Sequence, residues 1–308
     1  MFDKFKISKD VYPIFVVGCM SSGKSTFINA LLESDIIPSS NMACTGKPVF
    51  ITLREYDEFD NTQWHSNGVC KCNIIDYNDN FSECIISDKS AKQMISDYND
   101  TDMYNYILLE KRSSWTELLC DVHPKNENGF LVIDTPGVNN SMNDSHYKET
   151  KEIISKFNKG RFIYVITPDS FTSKDNKNML DYINSLIKSN NKFRIDFIMN
   201  KFDIVDFEKE NPYELLLEFS ELLESIGFKE PKITAVSSLA SVIFSKVLMR
   251  EKLTRNDIVT FGNLYNKYNF YNSREYGDFD GKKITIMNKE YLPYYIEKAK
   301  DNAFGYNI

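Results

Sequence analysis

The chain has 308 residues, of which 42% are hydrophobic, and its formal net charge is −7. This length supports one large domain with a sufficient core, and the acidic balance argues against non-specific nucleic-acid binding, which needs a basic surface. The apolar runs are far shorter than the roughly 18 residues of a membrane-spanning helix, and the amino terminus lacks the apolar stretch of a signal peptide. We therefore expect a cytoplasmic protein.

The first predicted element is an apolar strand at Pro13 to Val17, followed by a glycine-rich loop. The run Gly18 to Ser25 reads Gly-Cys-Met-Ser-Ser-Gly-Lys-Ser and fits the pattern Gly, any four residues, Gly-Lys-Ser. An amphipathic helix is predicted from Ser25 to Leu32. Backbone N–H groups of such a loop, together with the helix N-terminus, bind phosphate groups. An ordinary strand-to-helix turn is the alternative interpretation.

Individual roles in this loop follow from side-chain chemistry. Lys24 would reach the outer phosphates and neutralise developing charge, and the Ser25 hydroxyl would bind Mg²⁺. The predicted nucleotide contacts in this part of the chain are Gly18, Ser21, Ser22, Gly23, Lys24, Ser25 and Thr26.

The segment between this helix and the next predicted strand, Val49 to Leu53, reads as a loop that supplies a second metal ligand. Thr45 is the best candidate: its hydroxyl would bind Mg²⁺ and its carbonyl would help to place the attacking water. A plain loop threonine is the alternative. Thr52 is a rival candidate, but it lies inside the predicted strand.

Residues 54–129 are acidic and rich in Asn and Tyr, and we interpret them as an insertion. A helix is predicted from Asp88 to Tyr98. A strand at Leu118 to Val122 is predicted to pair antiparallel with Phe130 to Ile133, through a turn at residues 126–129.

The strand that begins at Phe130 ends in Asp134-Thr135-Pro136-Gly137. Asp134 would hold a magnesium-bound water beside Ser25. Because Gly137 has no side chain, its N–H can approach a terminal phosphate and help to place the attacking water. A plain turn is the alternative interpretation of these four residues.

A base-reading motif is predicted after the apolar strand Arg194 to Met199, where the chain continues as Asn200-Lys201-Phe202-Asp203. The Asp203 carboxylate can accept from both the ring N–H and the exocyclic amine of guanine. Adenine lacks these donors, so a buried carboxylate there would be left unpaired. The stem of Lys201 would lie along the base plane. A solvated charged turn is the alternative.

A fourth motif, Ser237-Ser238, follows the apolar strand Lys232 to Val236, and its backbone groups would contact the guanine oxygen. All four motifs stand at the carboxyl ends of apolar strands. Ligands of open parallel sheets bind at that edge, so the sequence predicts a guanine-nucleotide site there.

The rest of the chain supplies further predicted elements of an α/β domain: a strand at Phe162 to Thr167, a helix at Asn176 to Lys188, and a helix from an Asn211 cap to Gly227. Residues 250–308 are predicted to form an irregular polar and aromatic extension, with an edge strand at Lys283 to Met287 and a last helix at Pro293 to Lys300.

Together these motifs resemble the GTPase domain of the dynamin superfamily, and its bacterial dynamin-like members most closely. The resemblance rests on Gly18 to Leu32, Ile36 to Thr45, Asp134 to Val138, and Asn200 to Asp203 with Ala235 to Ser238. It implies a single three-layer phosphate-loop GTPase domain over residues 1–308, in which helices flank a mostly parallel central sheet with an antiparallel edge strand. The helical stalk of the family is not expected within these residues.

The resemblance also implies a mechanism. Ser21 would help to neutralise charge between the phosphates, and a monovalent cation, K⁺ or Na⁺, would assist. Activity would rise when two GTPase domains meet, either in a homodimer or with a partner dynamin-like chain, and residues 172–175 correspond to a region that reaches across such a dimer. Membrane remodelling, with peripheral membrane association through a stalk or a partner, is implied by the family alone.

One residue departs from the family pattern. Met20 stands where the dynamins that give the family its name carry a water-orienting Gln, and a thioether is only a weak acceptor. Val138 likewise stands where a small GTPase would usually place a water-orienting Gln. These two residues keep one alternative to a stimulated GTPase open, and a second alternative stands beside it. One is a GTP-responsive binding module with little intrinsic hydrolysis, and the other is a monomeric ribosome- or transport-associated switch.

Overall fold

The computed structural model describes residues 11–32, 34–38, 47–54, 69–78, 80–101, 104–112, 129–137, 144–206, 209–248 and 252–272. The strands within these ranges are β1 Tyr12–Val17, β2 Val49–Arg54, β3 Val69–Asp76, β4 Phe81–Ser87, β5 Tyr104–Arg112, β6 Phe130–Asp134, β7 Gly160–Ile166, β8 Phe193–Met199 and β9 Ile233–Ala235.

The helices within the same ranges are α1 Lys24–Leu31, α2 Asp88–Asp100, α3 Asp144–Ser155, α4 Lys174–Ser189, α5 Pro212–Ile226, α6 Ser238–Leu248 and α7 Arg255–Asn272. A 3₁₀ helix at Phe202–Ile204 follows β8. In this part of the chain, no helix combines the length and apolar character that crossing a membrane requires.

The strands form one mixed sheet in the order β4-β3-β5-β2-β6-β1-β7-β8-β9. From β6 to β9 every neighbouring pair is parallel. Strand β2 runs antiparallel to β6 and parallel to β5, whereas β3 runs antiparallel to both β5 and β4. The predicted fold class, a mostly parallel sheet with an antiparallel edge and flanking helices, is therefore confirmed.

Strand β1 is buried on both faces, as parallel strands between two helical layers are. Phe15 and Val17 belong to one apolar cluster, with residues of α3, α4 and α5. Ile14 and Val16 belong to a second cluster on the opposite face, with residues of α1 and α2. This alternation places the central strand between two helical layers, and the loop that follows it begins at the buried end of that strand.

The predicted insertion is integrated into the sheet, because β3 and β5 extend it beyond β2 and β4 closes its edge. The predicted pairing of Leu118 to Val122 with Phe130 to Ile133 is wrong. Both edges of that strand are occupied, one by β1 and the other by β2. Residues 118–122 lie outside the described part of the chain.

The predicted irregular extension contains a regular helix, α7. Thr254 and Asp257 cap its start reciprocally, each backbone N–H donating to the other side chain at 3.1 Å or less. Phe261 meets Phe244 of α6 edge-to-face, with ring centroids 5.6 Å apart, and Leu264 is buried against the same helix. The predicted elements at residues 283–287 and 293–300 lie outside the described residues.

Helix α5 follows its sequence signals closely. The Asn211 side chain accepts from the N–H of Tyr213, and Pro212 occupies the first turn. The helix stops at Gly227, whose φ of 105° lies in the left-handed region that glycine tolerates best.

Candidate nucleotide-binding site

The side chain of Asn200 joins three loops at the carboxyl edge of the sheet. Its Nδ2 donates to the carbonyl oxygens of Ser22 at 3.0 Å and Gly23 at 3.3 Å. Its Oδ1 accepts from the backbone N–H of Ser238 at 3.1 Å. The loops after β1, β8 and β9 are therefore held side by side, and Asn200 is almost fully buried between them.

The glycines of the loop after β1 are required by close backbone approaches. A Cβ on Gly18 would lie 2.1 Å from the carbonyl oxygen of Val165, and one on Gly23 would lie 2.4 Å from Nδ2 of Asn200. Gly23 also has a φ of 83°, and Ser21 adopts a left-handed φ of 59° that is uncommon for a residue with a side chain. These values describe a tightly curled loop that leads directly into α1.

Lys24 is the first residue of α1, and its ammonium group is buried beneath the loop. It donates to the carbonyl oxygens of Gly18 and Cys19, each at 3.1 Å. Burial lowers the pKa of Lys24, and the nearby negative charge of Asp134 opposes that shift. A buried cation inside a loop of this shape is a strong attractor for an anion.

Ser25 and Asp134 meet between α1 and the end of β6, with Oγ of Ser25 donating to Oδ2 of Asp134 at 3.1 Å. Asp134 is fully buried, and its neighbour Thr135 donates from its hydroxyl to the carbonyl oxygen of Val16 at 2.8 Å. A hydroxyl and a carboxylate are the oxygen ligands that Mg²⁺ prefers, and Mg²⁺ commonly completes its shell with water and substrate phosphates. Thr45 lies outside the described residues.

The chemistry of these residues fits a nucleotide with its metal ion. Among the described residues, groups of three or more His, Cys, Asp or Glu that could hold a metal ion are absent. The hydroxyls of Ser22 and Ser238 are buried at the junction of the loops without a hydrogen-bond partner within the described structure. Buried polar groups of this kind are normally satisfied, which suits a site that receives a polar ligand.

Gly137 packs directly against the loop after β1. A Cβ on Gly137 would lie 2.9 Å from both Cα and Cγ of Met20. The loop after β6 therefore lies directly against the phosphate loop at this point. Val138 lies outside the described residues.

The loop after β8 places Asp203 and Lys201 in defined positions. Lys201 has a left-handed φ of 57°, and the 3₁₀ helix begins immediately after it. The Ser237 hydroxyl donates to the Asp203 carboxylate and also accepts from the N–H of Ala240 at 3.1 Å. A Cβ on Gly23 would lie 3.9 Å from Cε of Lys201, so the lysine stem borders the phosphate loop.

Asn176 ties the phosphate loop to the start of α4, whereas the sequence predicts only that a helix begins there. The Cys19 thiol donates to Oδ1 of Asn176 at 3.1 Å, and the Tyr164 hydroxyl donates to the same oxygen at 2.8 Å. The amide of Asn176 donates to the Ser173 hydroxyl at 3.0 Å, within the predicted cross-dimer region. Burial raises the pKa of Cys19 to about 11, so its thiol stays protonated in this network.

Asn29 is a second residue that sequence patterns did not single out. Its Oδ1 accepts from the backbone N–H groups of Ile36 and Ile37, and its Nδ2 donates to the carbonyl oxygen of Ile37 at 2.7 Å. These bonds fix the segment that leads toward Thr45. The only sequence signal was a polar residue at a helix position that the apolar pattern assigns to the interior.

The parallel half of the sheet, the curled glycine loop and the buried lysine define a phosphate-loop nucleotide-binding protein of the α/β class. A family model described as the dynamin family matches residues 14–201. The chain therefore belongs to the dynamin family and contains its GTPase domain.

Two solved structures similar to the chain are described as an oligomerised bacterial dynamin pair that provides a mechanism for the long-range sensing and tethering of membranes. Each is 13% identical over 98% of this chain, with TM-scores of 0.49 and 0.47. The chain spans 42% and 49% of the length of those two chains. No curated protein matches the chain.

Proposed function

We propose that this domain binds guanine nucleotides and hydrolyses GTP with Mg²⁺. The observation that carries the proposal is the position of Asn200, which bonds the phosphate loop through Ser22 and Gly23 and the next loop through Ser238. A motif suited to the base and a motif suited to the phosphates are thereby joined at one edge of the sheet, which supports a single nucleotide site there.

The phosphate end of the site supplies positioning and charge. Lys24 would turn its ammonium from the carbonyls of Gly18 and Cys19 toward the outer phosphates, and Ser21 would add a hydroxyl beside them. Ser25 and Asp134, with Thr45, would hold Mg²⁺, which neutralises charge on the phosphate oxygens when it is bound. Phosphoryl transfer depends mainly on such positioning and electrostatics.

The base end would select guanine through Asp203. The Ser237 hydroxyl fixes the carboxylate, which would accept from the ring N–H and the exocyclic amine of guanine. The stem of Lys201 would cover one side of the base. Adenine would leave the carboxylate without these donors, and an acceptor that a bound base shields from water without pairing it costs about 1–3 kcal/mol.

Stimulation by a second GTPase domain, a requirement for K⁺ or Na⁺, and peripheral action at a membrane belong to the same proposal. Membership of the dynamin family supports them. The contact between Cys19 and Asn176 adds a physical route, because it joins the phosphate loop to the start of α4, where a facing domain would bind. A GTP-responsive module with little hydrolysis remains the second candidate, since Met20 offers the attacking water only a thioether.

Competition binding tests the nucleotide proposal directly. We expect GDP and GTP to displace a fluorescent guanine nucleotide, and ADP to fail at concentrations about a hundredfold higher. Asp203→Asn reverses the donor and acceptor pattern, so it should weaken GDP binding and favour a xanthine nucleotide. Equal competition by ADP, or unchanged affinity in Lys24→Ala, would contradict the proposal.

Turnover measurements separate the hydrolytic candidates. GTP turnover per protein should rise with protein concentration and with K⁺ if facing domains stimulate each other. Tight binding without turnover would favour the binding module. A rate that is independent of protein concentration would favour a monomeric switch.

A further inference from the structure

Helix α7 contacts the loop that carries Asp203, although it lies beyond the residues matched by the family model. The Lys267 ammonium donates to the carbonyl oxygen of Asp203 and to that of Val205, the latter at 2.7 Å. These carbonyls stand at the carboxyl end of the 3₁₀ helix, where the last carbonyl groups lack partners within the helix. Lys267 therefore caps this end of the 3₁₀ helix by hydrogen bonds.

The backbone that Lys267 holds needs such support. Lys201 adopts a left-handed φ of 57°, which is unfavourable for a residue with a side chain. The 3₁₀ helix that follows is only three residues long, and its internal hydrogen bonds have poorer geometry than those of an α-helix. A conformation of this kind persists only where surrounding contacts determine it.

Asp203 accepts hydrogen bonds from two side chains at the packed pair of helices α6 and α7. The Ser237 hydroxyl, immediately before α6, donates to its carboxylate, and Lys267 of α7 donates to its carbonyl. The two helices are packed together by Phe244 and Phe261, and Leu264, one helical turn before Lys267, is buried in the same cluster. The direction of the Asp203 carboxylate thus depends on how α6 and α7 are docked.

We propose that Lys267 is a specificity-determining positioning residue for the guanine base, and that it couples base recognition to the docking of α7. The proposal rests on the proposed function and adds a residue outside the four sequence motifs. Coupling between two sites is reciprocal. A guanine nucleotide that requires an ordered Asp203 loop therefore stabilises α7, and weakening the Lys267 contact lowers the affinity for guanine.

Three variants test this with the full chain. Lys267→Met retains the apolar stem and removes the donors, Lys267→Arg retains donors, and Asn266→Ala changes an exposed neighbour on the same helix. Dissociation constants are measured for GDP and for IDP, whose base lacks the exocyclic amine. We expect Lys267→Met to weaken GDP binding about tenfold, equivalent to about 1.4 kcal/mol, and IDP binding less.

The ratio of the two dissociation constants is the decisive quantity. The dissociation constant for IDP divided by that for GDP should move closer to one in Lys267→Met. It should return toward the wild-type value in Lys267→Arg and stay at that value in Asn266→Ala. If Lys267→Met weakens GDP and IDP binding by the same factor, or weakens neither, the ratio is unchanged. That result would indicate a merely structural role and overturn the proposal. If the wild-type chain itself fails to distinguish GDP from ADP, the proposed function falls. If the wild-type chain prefers GDP to ADP and Lys267→Met shows the same preference for GDP over IDP as the wild type, the proposed function stands and only the role of Lys267 is contradicted.

Hydrogen exchange gives a test that does not depend on the folding of a variant. GDP added to the wild-type chain should slow amide exchange in α7 as well as in the phosphate loop. Protection confined to the phosphate loop would overturn the coupling between α7 and the base.

Discussion

The side-chain amide of Asn200 donates a hydrogen bond to the carbonyl oxygen of Ser22, although 178 positions separate them in the chain. The pair connects β8 to the loop after β1 across the intervening strand β7. Asn200 thus holds the loops together by its own hydrogen bonds, and it is also a predicted nucleotide contact. Its replacement should therefore affect stability in the absence of any ligand.

Asn200→Ala should lower the free energy of unfolding by about 3 kcal/mol, because it leaves buried backbone groups of Ser22, Gly23 and Ser238 without their partner. Asn200→Asp keeps the acceptor for Ser238 but sets a carboxylate against two carbonyl oxygens, so it should also destabilise the domain. Urea unfolding without nucleotide measures both. The control is Asn190→Ala, which removes exposed side-chain hydrogen bonds to the backbones of Asn158 and Lys192. An equal loss of unfolding free energy in Asn200→Ala and Asn190→Ala would contradict the role of Asn200 in holding the loops together.

The Ser25–Asp134 pair predicts a metal dependence for nucleotide affinity. Ser25→Ala should leave GDP affinity measured in EDTA nearly unchanged but abolish most of the gain that Mg²⁺ gives to the wild-type chain. The reason is that the hydroxyl serves the metal ion and the phosphate loop serves the phosphates. Titrations with and without Mg²⁺ measure this, with the exposed Ser185→Ala as the matched control. A full Mg²⁺ effect in Ser25→Ala would remove Ser25 from the metal site.

The contact between Gly137 and Met20 predicts a steric penalty. Gly137→Ala places a Cβ 2.9 Å from the Met20 backbone, so the two loops must separate. We expect a loss of about 1–3 kcal/mol in the free energy of unfolding together with slower GTP turnover. Gly262→Ala in α7 is the matched control, because a Cβ there meets nothing within 4 Å. That variant should be stabilised by up to about 1 kcal/mol through helix propensity.

Cys19 predicts a change in stability at alkaline pH. Burial raises the pKa of its thiol from 9.0 to about 11, so the unfolded chain loses this proton first and stability falls as pH rises between those values. Cys19→Ser keeps a donor for Asn176 and removes this titration. Relative to wild type, the variant should gain about 1 kcal/mol between about pH 8 and about pH 10. Urea unfolding at both pH values measures the difference, and a constant offset would contradict the assignment.

Much of the parallel half of the sheet could be predicted from local patterns. Strands such as β1 and β8 are apolar runs that end in motifs, and α5 is bounded by Asn211 and Gly227. Helix α7 could not be predicted from periodicity. Its apolar residues are divided between solvent and core: Ile258 and Val259 are 57% and 56% exposed, whereas Leu264 is buried. Only its packing against α6 shows which face is internal.

The motifs of the site could be located in the sequence, but the contacts that hold them together could not. Asn176 meets Cys19 across 157 positions, and Lys267 meets Asp203 across 64. Neither residue belongs to a recurring short pattern. Their roles depend on how helices are docked around the sheet, which local periodicity does not encode.

The sheet order has a consequence for how this domain can diversify. The four motif-bearing strands β6, β1, β8 and β9 lie in the parallel half, while the β3–β4 hairpin lies at the opposite margin with β5 and β2 between. Phe81 and Ile85 on that margin are about half exposed. Two strands, β5 and β2, separate this hairpin from the motif-bearing strands. We therefore expect substitutions at Phe81 and Ile85 to leave nucleotide binding unchanged, so that this surface can vary independently of the candidate site.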